Sequence, residues 1–207
     1  MNILIYDCEI VKLIPVRNES NLSNYDYCDG WHDHAGMGIS VIGYCEGLEG
    51  DPTGLLRNSG DGHLSDLEAI AKSSTVIGFN SRNFDDPLCK ANGINIKTDY
   101  DLLEEVRIAA GFEAHYKSVP REYRYNLNTI ARANGMAKSG HGELAPMLWQ
   151  DGNFQEVIDY CLHDVKITRD LLRLGLDGQL EDPNTGKMLK LRSILRAIEP
   201  SQRSRAK

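Results

Sequence analysis

The chain begins MNILIYDCEI, residues 1–10. Residues 2–8 alternate and then run apolar through Ile3, Leu4, Ile5 and Tyr6, which reads as a buried strand. Asp7 and Glu9 stand at its end. Side chains alternate along a strand, so residues two apart share a face. Asp7 and Glu9 therefore point the same way, and neighbouring carboxylates repel unless something positive sits between them. Oxygen ligands of this kind suit hard cations such as Mg²⁺ and Mn²⁺. Taken alone, an Asp-x-Glu is common by chance and reads as two solvated acids at a strand end.

Working outward, residues 11–37 are polar and turn-rich and form a long insertion. Strands are expected over 38–46 and 53–57, with a Gly-rich turn at 58–62. Leu64, Leu67, Ile70 and Ala71 give residues 63–73 a helical period. A short buried strand over 75–79 closes in a turn at Asn80. Helices follow over 83–92, 99–110 and 126–134, stopped by Gly93, Gly111 and Gly135. The last long helix starts from Asn153, a good N-cap, and runs to about Leu174 before Gly175. This order is an α/β layout with a central mixed β-sheet flanked by helices. No internal repeat or low-complexity linker interrupts it.

Two further stretches carry chemistry. In GFNSRNFDDPLC, residues 78–89, a buried strand delivers Asn80, and Asp85 follows at a helix start. Pro87 suits a helix's first turn. The plain reading makes Asp85 or Asp86 an N-cap. In the last helix Tyr160 and Asp164 lie one turn apart on one face. Val157, Cys161, Val165 and Thr168 flank that face, so Asp164 is an acid on an apolar stripe. Such an acid must be paired, protonated or metal-bound. The plain reading is an ion pair with Arg169 or with a distant arginine.

Together, D-x-E, N-x-x-x-F-D and Y-x-x-x-D resemble, in order and spacing, the three Exo motifs of the DEDD (DnaQ-like) 3′–5′ exonuclease superfamily. The Y-C-x-x-D-V form looks like the proofreading domains of family-B DNA polymerases. The resemblance covers about residues 1–175. It implies an RNase H-like fold in a domain over 1–180, and the charge distribution makes residues 181–207 a basic C-terminal extension. The resemblance implies that Asp7, Glu9, Asp85 and Asp164 bind two divalent cations, Mg²⁺ or Mn²⁺, about 4 Å apart. One ion would lie on Asp7, Glu9 and Asp164 and activate water. The other would be shared by Asp7, with Asp85 in reach, and stabilise the leaving oxygen. Tyr160 would be the catalytic tyrosine that orients the water, a role suited to a phenol with a pKa near ~10. This is the DEDDy branch; Asp159 stands where the DEDDh branch has histidine. The implied substrate is single-stranded nucleic acid with a 3′ end, DNA favoured over RNA, with a polymerase or replication protein as a further partner. The rival readings are a non-catalytic nucleic-acid-binding module, an RNase H-like endonuclease or resolvase, and a detached proofreading subunit.

On the substrate side, Asn80 and Arg82 flank the middle motif, and Phe84 could stack on a terminal base or simply pack in the core. Lys138 and His141, with Glu143, lie in a Gly-flanked loop where phosphates are often met. Trp31, Tyr25 and Tyr27 would stack on bases or anchor the insertion. His163 neighbours Asp164 off the motif position. Asp101 resembles a helix-start acid and reads as structural. Residues 25–40 and 138–150 resemble a phage-encoded subgroup of exonuclease-like proteins. Cys28, His32, His34 and Cys45 match no zinc spacing.

The 207 residues, 41% hydrophobic, suit one folded domain. No apolar run is long enough to span a membrane. The N-terminus lacks the basic start of a signal peptide, so a cytoplasmic location is expected (host cytoplasm if phage-encoded). Five scattered cysteines form no C-x-x-C and fit a reducing compartment. A net charge of −7 opposes nucleic-acid binding, but acids at a metal site account for part of it. From Lys187 to Lys207, seven Lys or Arg face one acid, Glu199. That tail could hold a phosphate backbone or be a solvated terminus.

Overall fold

The computed structural model describes residues 1–16, 20–56, 63–136 and 144–203. In chain order the elements are β1 (Ile3–Ile10), α1 (His34–Met37), β2 (Ile39–Glu46), β3 (Thr53–Leu56), α2 (His63–Ser73), β4 (Thr75–Gly78), α3 (Asp85–Ala91), β5 (Tyr100–Asp101), α4 (Leu102–Ala109), a 3₁₀ turn at Tyr116–Ser118, α5 (Leu127–Ala133), α6 (Ala145–Gln150), α7 (Phe154–Asp177), β6 (Leu180–Glu181), β7 (Met188–Leu189) and α8 (Ile194–Arg203).

The main sheet has the order β3-β2-β1-β4-β5. The pairs β1–β2 and β2–β3 are antiparallel, and β1–β4 and β4–β5 are parallel, so the sheet is mixed. Strand β1 is central and buried almost throughout, which is why its sequence is apolar on both faces. Its alternation sorts the core. Ile3 and Ile5 join the cluster built by α4, α5 and α7, through Leu102, Val106, Ile130, Val165 and Leu171. Leu4, Tyr6 and Cys8 join the opposite cluster, with Leu67 of α2 and Leu88 and Cys89 of α3. Asp7 and Glu9 share the parity of Ile3 and Ile5, so they face α7.

Helix α7 lies close to the sheet because glycines make room for it. Asp7 pairs with Gly43, and Gly43 with Gly54, in one row across three strands. A Cβ on Gly43 would sit 2.9 Å from Cys161 Sγ, and one on Gly54 would sit 3.1 Å from Ile158 Cγ2. Larger residues would lift the helix and its motif residues off the strand that carries the acids.

Several elements depart from the sequence reading. The last helix does not end before Gly175; it runs to Asp177, with Gly178 in the left-handed C-cap. Gly175 is instead a contact point, since a Cβ there would lie 2.3 Å from Leu191 Cδ1, and its carbonyl accepts from the Leu191 amide at 2.9 Å. The start of the expected 99–110 helix is the short strand β5, and Asp101 then caps α4. Helix α6, over Ala145–Gln150, was not anticipated between the Gly-flanked loop and the last helix. The β6–β7 hairpin runs from Leu180 to Leu189, and Leu180, Leu189, Leu191 and Ile194 pack into the same cluster as α7. Among the described residues, no helix is long and apolar enough to cross a membrane.

The Gly175 contact is testable. Gly175→Val forces a branched side chain into Leu191, which is itself buried. Overpacking of this kind costs about 1–3 kcal/mol. Urea denaturation should show a lower midpoint with an unchanged m-value.

Candidate metal centre

Asp7 and Glu9 project from β1 beneath α7, which supplies Tyr160, Cys161 and Asp164 from consecutive turns of one face. Asp7 Oδ2 lies 3.8 Å from Cys161 Sγ, and the Asp7 carbonyl lies 3.5 Å from it. Donor atoms of Asp7, Glu9 and Cys161 all lie within 4.8 Å of one another, a spacing that one metal ion can bridge. Cys161 was not expected as a donor. Its signal was present in the sequence, because it shares the Tyr160–Asp164 stripe. Glu9 is 8% exposed, Asp164 4% and Asp85 3%, so the acids sit where ionised carboxylates need compensation.

Asp85 enters from the other side of β1. Strand β4 pairs with Ile3–Ile5 and then ends, leaving the next amides of β1 without a strand partner on that edge. The Cys8 amide donates to Asp85 Oδ1 at 2.9 Å. Asp85 thus continues the sheet edge with a side chain, at the residue between Asp7 and Glu9. It is not the N-cap of α3 that the plain reading allowed; Phe84 holds that position.

The turn that delivers Asp85 is held by Asp101. Asn80 takes a left-handed conformation, φ 60°, which asparagine tolerates better than most residues. Asp101 Oδ1 accepts from the amides of Asn80 and Leu103 at 3.0 Å each, and Oδ2 accepts from the Arg82 amide at 3.1 Å. One buried carboxylate therefore caps α4 and fixes the loop. Asp86 is equally committed, accepting from Tyr6 Oη at 2.6 Å and Thr98 Oγ1 at 2.8 Å.

The electrostatics follow from burial. Desolvation, then the Asp164 and Glu9 carboxylates, push the Tyr160 phenol far above its ordinary range, and the phenol is hydrogen-bonded to Asp164. Burial, then Asp7 and Glu9, raise the Cys161 thiol. Burial first, then Cys89 and Glu9, raise the Asp85 carboxyl against the pull of the Cys8 amide. All three shifts come first from burial and then from neighbouring groups that include the acids, and a bound cation would oppose them. The oxygen-rich donor set fits a hard divalent ion.

The remaining expected residues fall in different places. Arg82 is turned toward Glu104 and the Asp99 carbonyl. Asn80 accepts from Asn83 Nδ2 at 3.0 Å. Phe84 is half-buried, edge-on to Trp31 and to His34, with ring centroids 6.4 Å apart in each case. Lys138, His141 and Glu143 lie outside the described residues. Tyr25 anchors the insertion through Asp151 at 3.0 Å, and Tyr27 accepts from the Leu22 amide, whereas Trp31 stays 66% exposed. Arg169 is committed to Asp170 and the Gly50 carbonyl. Cys28 and Cys45 belong to clusters on opposite faces of the sheet, which separates the thiols of the four-residue zinc combination.

The mixed five-stranded sheet flanked by helices is an RNase H-like fold. No family model and no curated protein matches the chain. Among solved structures it is similar to the family B DNA polymerase from the hyperthermophilic archaeon Pyrobaculum calidifontis, with a TM-score of 0.54 and 15% identity. The match covers 89% of this chain and 26% of that polymerase, so the chain spans about a quarter of its length.

Removing the Asp101 carboxylate should loosen the loop. Asp101→Ala deletes a helix cap worth about 0.5–2 kcal/mol and strands further buried amides at about 1–3 kcal/mol. A loss on the order of 3 kcal/mol is expected in chemical denaturation. Asp101→Asn, which keeps one acceptor oxygen, should lose less; equal loss in both would contradict this account.

Proposed function

We propose that this chain is a metal-dependent 3′–5′ exonuclease of the DEDDy type that hydrolyses single-stranded nucleic acid, DNA in preference to RNA. The observation that carries the reading is the convergence of Asp7 and Glu9 from β1, Asp85 on the Cys8 amide, and Tyr160 and Asp164 from α7. The polymerase whose fold it shares supports it at the level of architecture.

Asp7, Glu9, Asp85 and Asp164 would hold the divalent cations. The ions would supply an activated water and stabilise the leaving 3′ oxygen. Tyr160 remains a neutral phenol throughout the physiological range, because burial and the surrounding carboxylates oppose its ionisation. It therefore acts as a hydrogen-bond donor that orients a nucleophile, and not as a base. Its neighbour Cys161 is fully buried with its thiol against Asp7, where burial and the nearby carboxylates raise its pKa in the absence of a cation. The fixed backbone of β1 sets the spacing of Asp7 and Glu9 before substrate arrives, so little reorganisation is left for the reaction step.

The test is degradation of a 5′-labelled single-stranded oligonucleotide, and of its RNA twin, with Mg²⁺ or Mn²⁺. A ladder shortening from the 3′ end is expected, and it should vanish in Asp7→Ala and Asp164→Ala. Tyr160→Phe should lower kcat by about 10–100-fold with KM little changed, the size of effect a misplaced reactant produces. Mn²⁺ should also raise the wild-type Tm, since a ligand that binds only the folded state stabilises it. The rise should shrink in Asp7→Ala. Absence of cleavage with every metal would leave a nucleic-acid-binding module as the reading.

A further inference from the structure

A second site lies outside the acidic cluster. The segment following α4 folds back over that helix and forms a cleft of about 410 Å³ lined by Arg107, Tyr116, Lys117, Arg121, Tyr123 and Tyr125. Three cations and three tyrosines thus meet in one cavity of a chain whose net charge is −7. Its volume falls in the range of about 300–1,000 Å³ typical of ligand sites.

Arg107 marks the cleft as more than a surface groove. It is only 8% exposed, and its Nε is buried with no hydrogen-bond partner. One guanidinium nitrogen donates to the Ala114 carbonyl at 2.9 Å. Burial pulls its pKa down, while Asp101 and Glu104 pull the other way. The guanidinium lines the cleft, and the planar fork of an arginine matches the geometry of a phosphate. Lys117 and Arg121 are exposed at the rim. Nearby Glu113 is engaged by His115 at 2.6 Å.

The aromatic wall is ordered. Tyr123 meets Phe112 edge-on at 5.9 Å and Tyr125 at 6.4 Å. Tyr125 Oη donates to Asp182 at 3.0 Å. Tyr116 is 69% exposed and presents a free ring. Rings beside cations are the two elements that sequence-tolerant binding of single strands requires, stacking for bases and charge for phosphates. The cleft also has a physical link to the acidic site. Asp101, which fixes the loop carrying Asp85, starts α4, and Arg107 lies six residues further along it, about 9 Å along the axis.

We propose that this cleft is a strand-holding subsite, which binds a phosphate of single-stranded nucleic acid at Arg107, Lys117 and Arg121 and stacks a base on Tyr116. The proposal rests on the nucleic-acid reading of the acidic site, but it can be tested apart from catalysis.

The experiment measures anisotropy of a labelled single-stranded 12-mer in EDTA across a range of salt concentrations. The double variant Lys117→Ala/Arg121→Ala alters only exposed side chains, and its Tm should match wild type. Each phosphate contact contributes about 0.7 to the slope of log K against log salt for single strands, so the slope should fall by about 1.4. Tyr116→Ala should weaken binding roughly five-fold or more at fixed salt. An unchanged slope and unchanged Tyr116→Ala affinity overturn the proposal, as does displacement by polyglutamate as effective as displacement by unlabelled oligonucleotide. Hydrolysis of the p-nitrophenyl ester of thymidine 5′-monophosphate with Mn²⁺ is run alongside, because it reports the acidic site alone. The double variant should hydrolyse it at the wild-type rate. Ester hydrolysis with an unchanged slope sinks the subsite and leaves the exonuclease reading standing. A lowered slope with no ester hydrolysis by wild type does the reverse.

Discussion

Carboxylates held together away from bulk water repel one another, and the architecture around β1 answers that constraint. Two unit charges about 5 Å apart repel by ~3 kcal/mol at an effective dielectric near 20. Asp7, Glu9, Asp85 and Asp164 therefore cannot be gathered by side-chain preference alone. The backbone forces them together: Asp7 and Glu9 by strand parity in the central strand, Asp164 by the pitch of α7, and Asp85 by its bond to the Cys8 amide. The core energy that enforces this comes from α7, whose Val157, Val165, Leu171 and Leu172 are fully buried. At about 1.5–3 kcal/mol per large apolar side chain, these outweigh the repulsion of a carboxylate pair.

The approach of α7 turns on the smallest residues in the sheet. Gly43 and Gly54 lie in register with Asp7, so the helix sits lowest beside the first acid. The same logic recurs at the far end of the helix, where Gly175 admits Leu191. Glycine inside a helix ordinarily costs about 1 kcal/mol relative to alanine. Here that cost is offset by the burial of Leu180, Leu189 and Leu191 against α7.

Much of this was legible in the sequence. Apolar runs located β1 and β2, which are buried on both faces, and helical periodicity located α2, α4, α5 and α7, which turn an apolar face to the sheet. The three motifs were legible because each lies on or beside such a face. What escaped has a physical pattern too. Strand β5 is two residues long and carries no periodicity. Gly175 reads as a helix stop because only tertiary contact with Leu191 explains it. The three aspartates Asp85, Asp86 and Asp101 look alike in sequence, yet each accepts from different donors 80 residues or fewer away. Their roles depend on which strand ends where, and no local pattern contains that information.

The charge distribution shows the same limit. Counting cations singles out residues 187–207, but Arg192 is spent on Glu105, a buried acid of α4, and the Lys190 side chain packs over Gly178. Part of that apparent tail is thus mortar for the core, and a phosphate would have to compete for its charge. Arg107 shows the opposite case. It sits in an ordinary amphipathic helix and looks like a solvated residue, yet it is buried with a donor to spare. A cation's value to an anionic strand depends on what else it is bound to. By that measure, Arg107 with exposed Lys117 and Arg121 is better placed to meet a phosphate than Arg192, whose guanidinium is already held by a carboxylate.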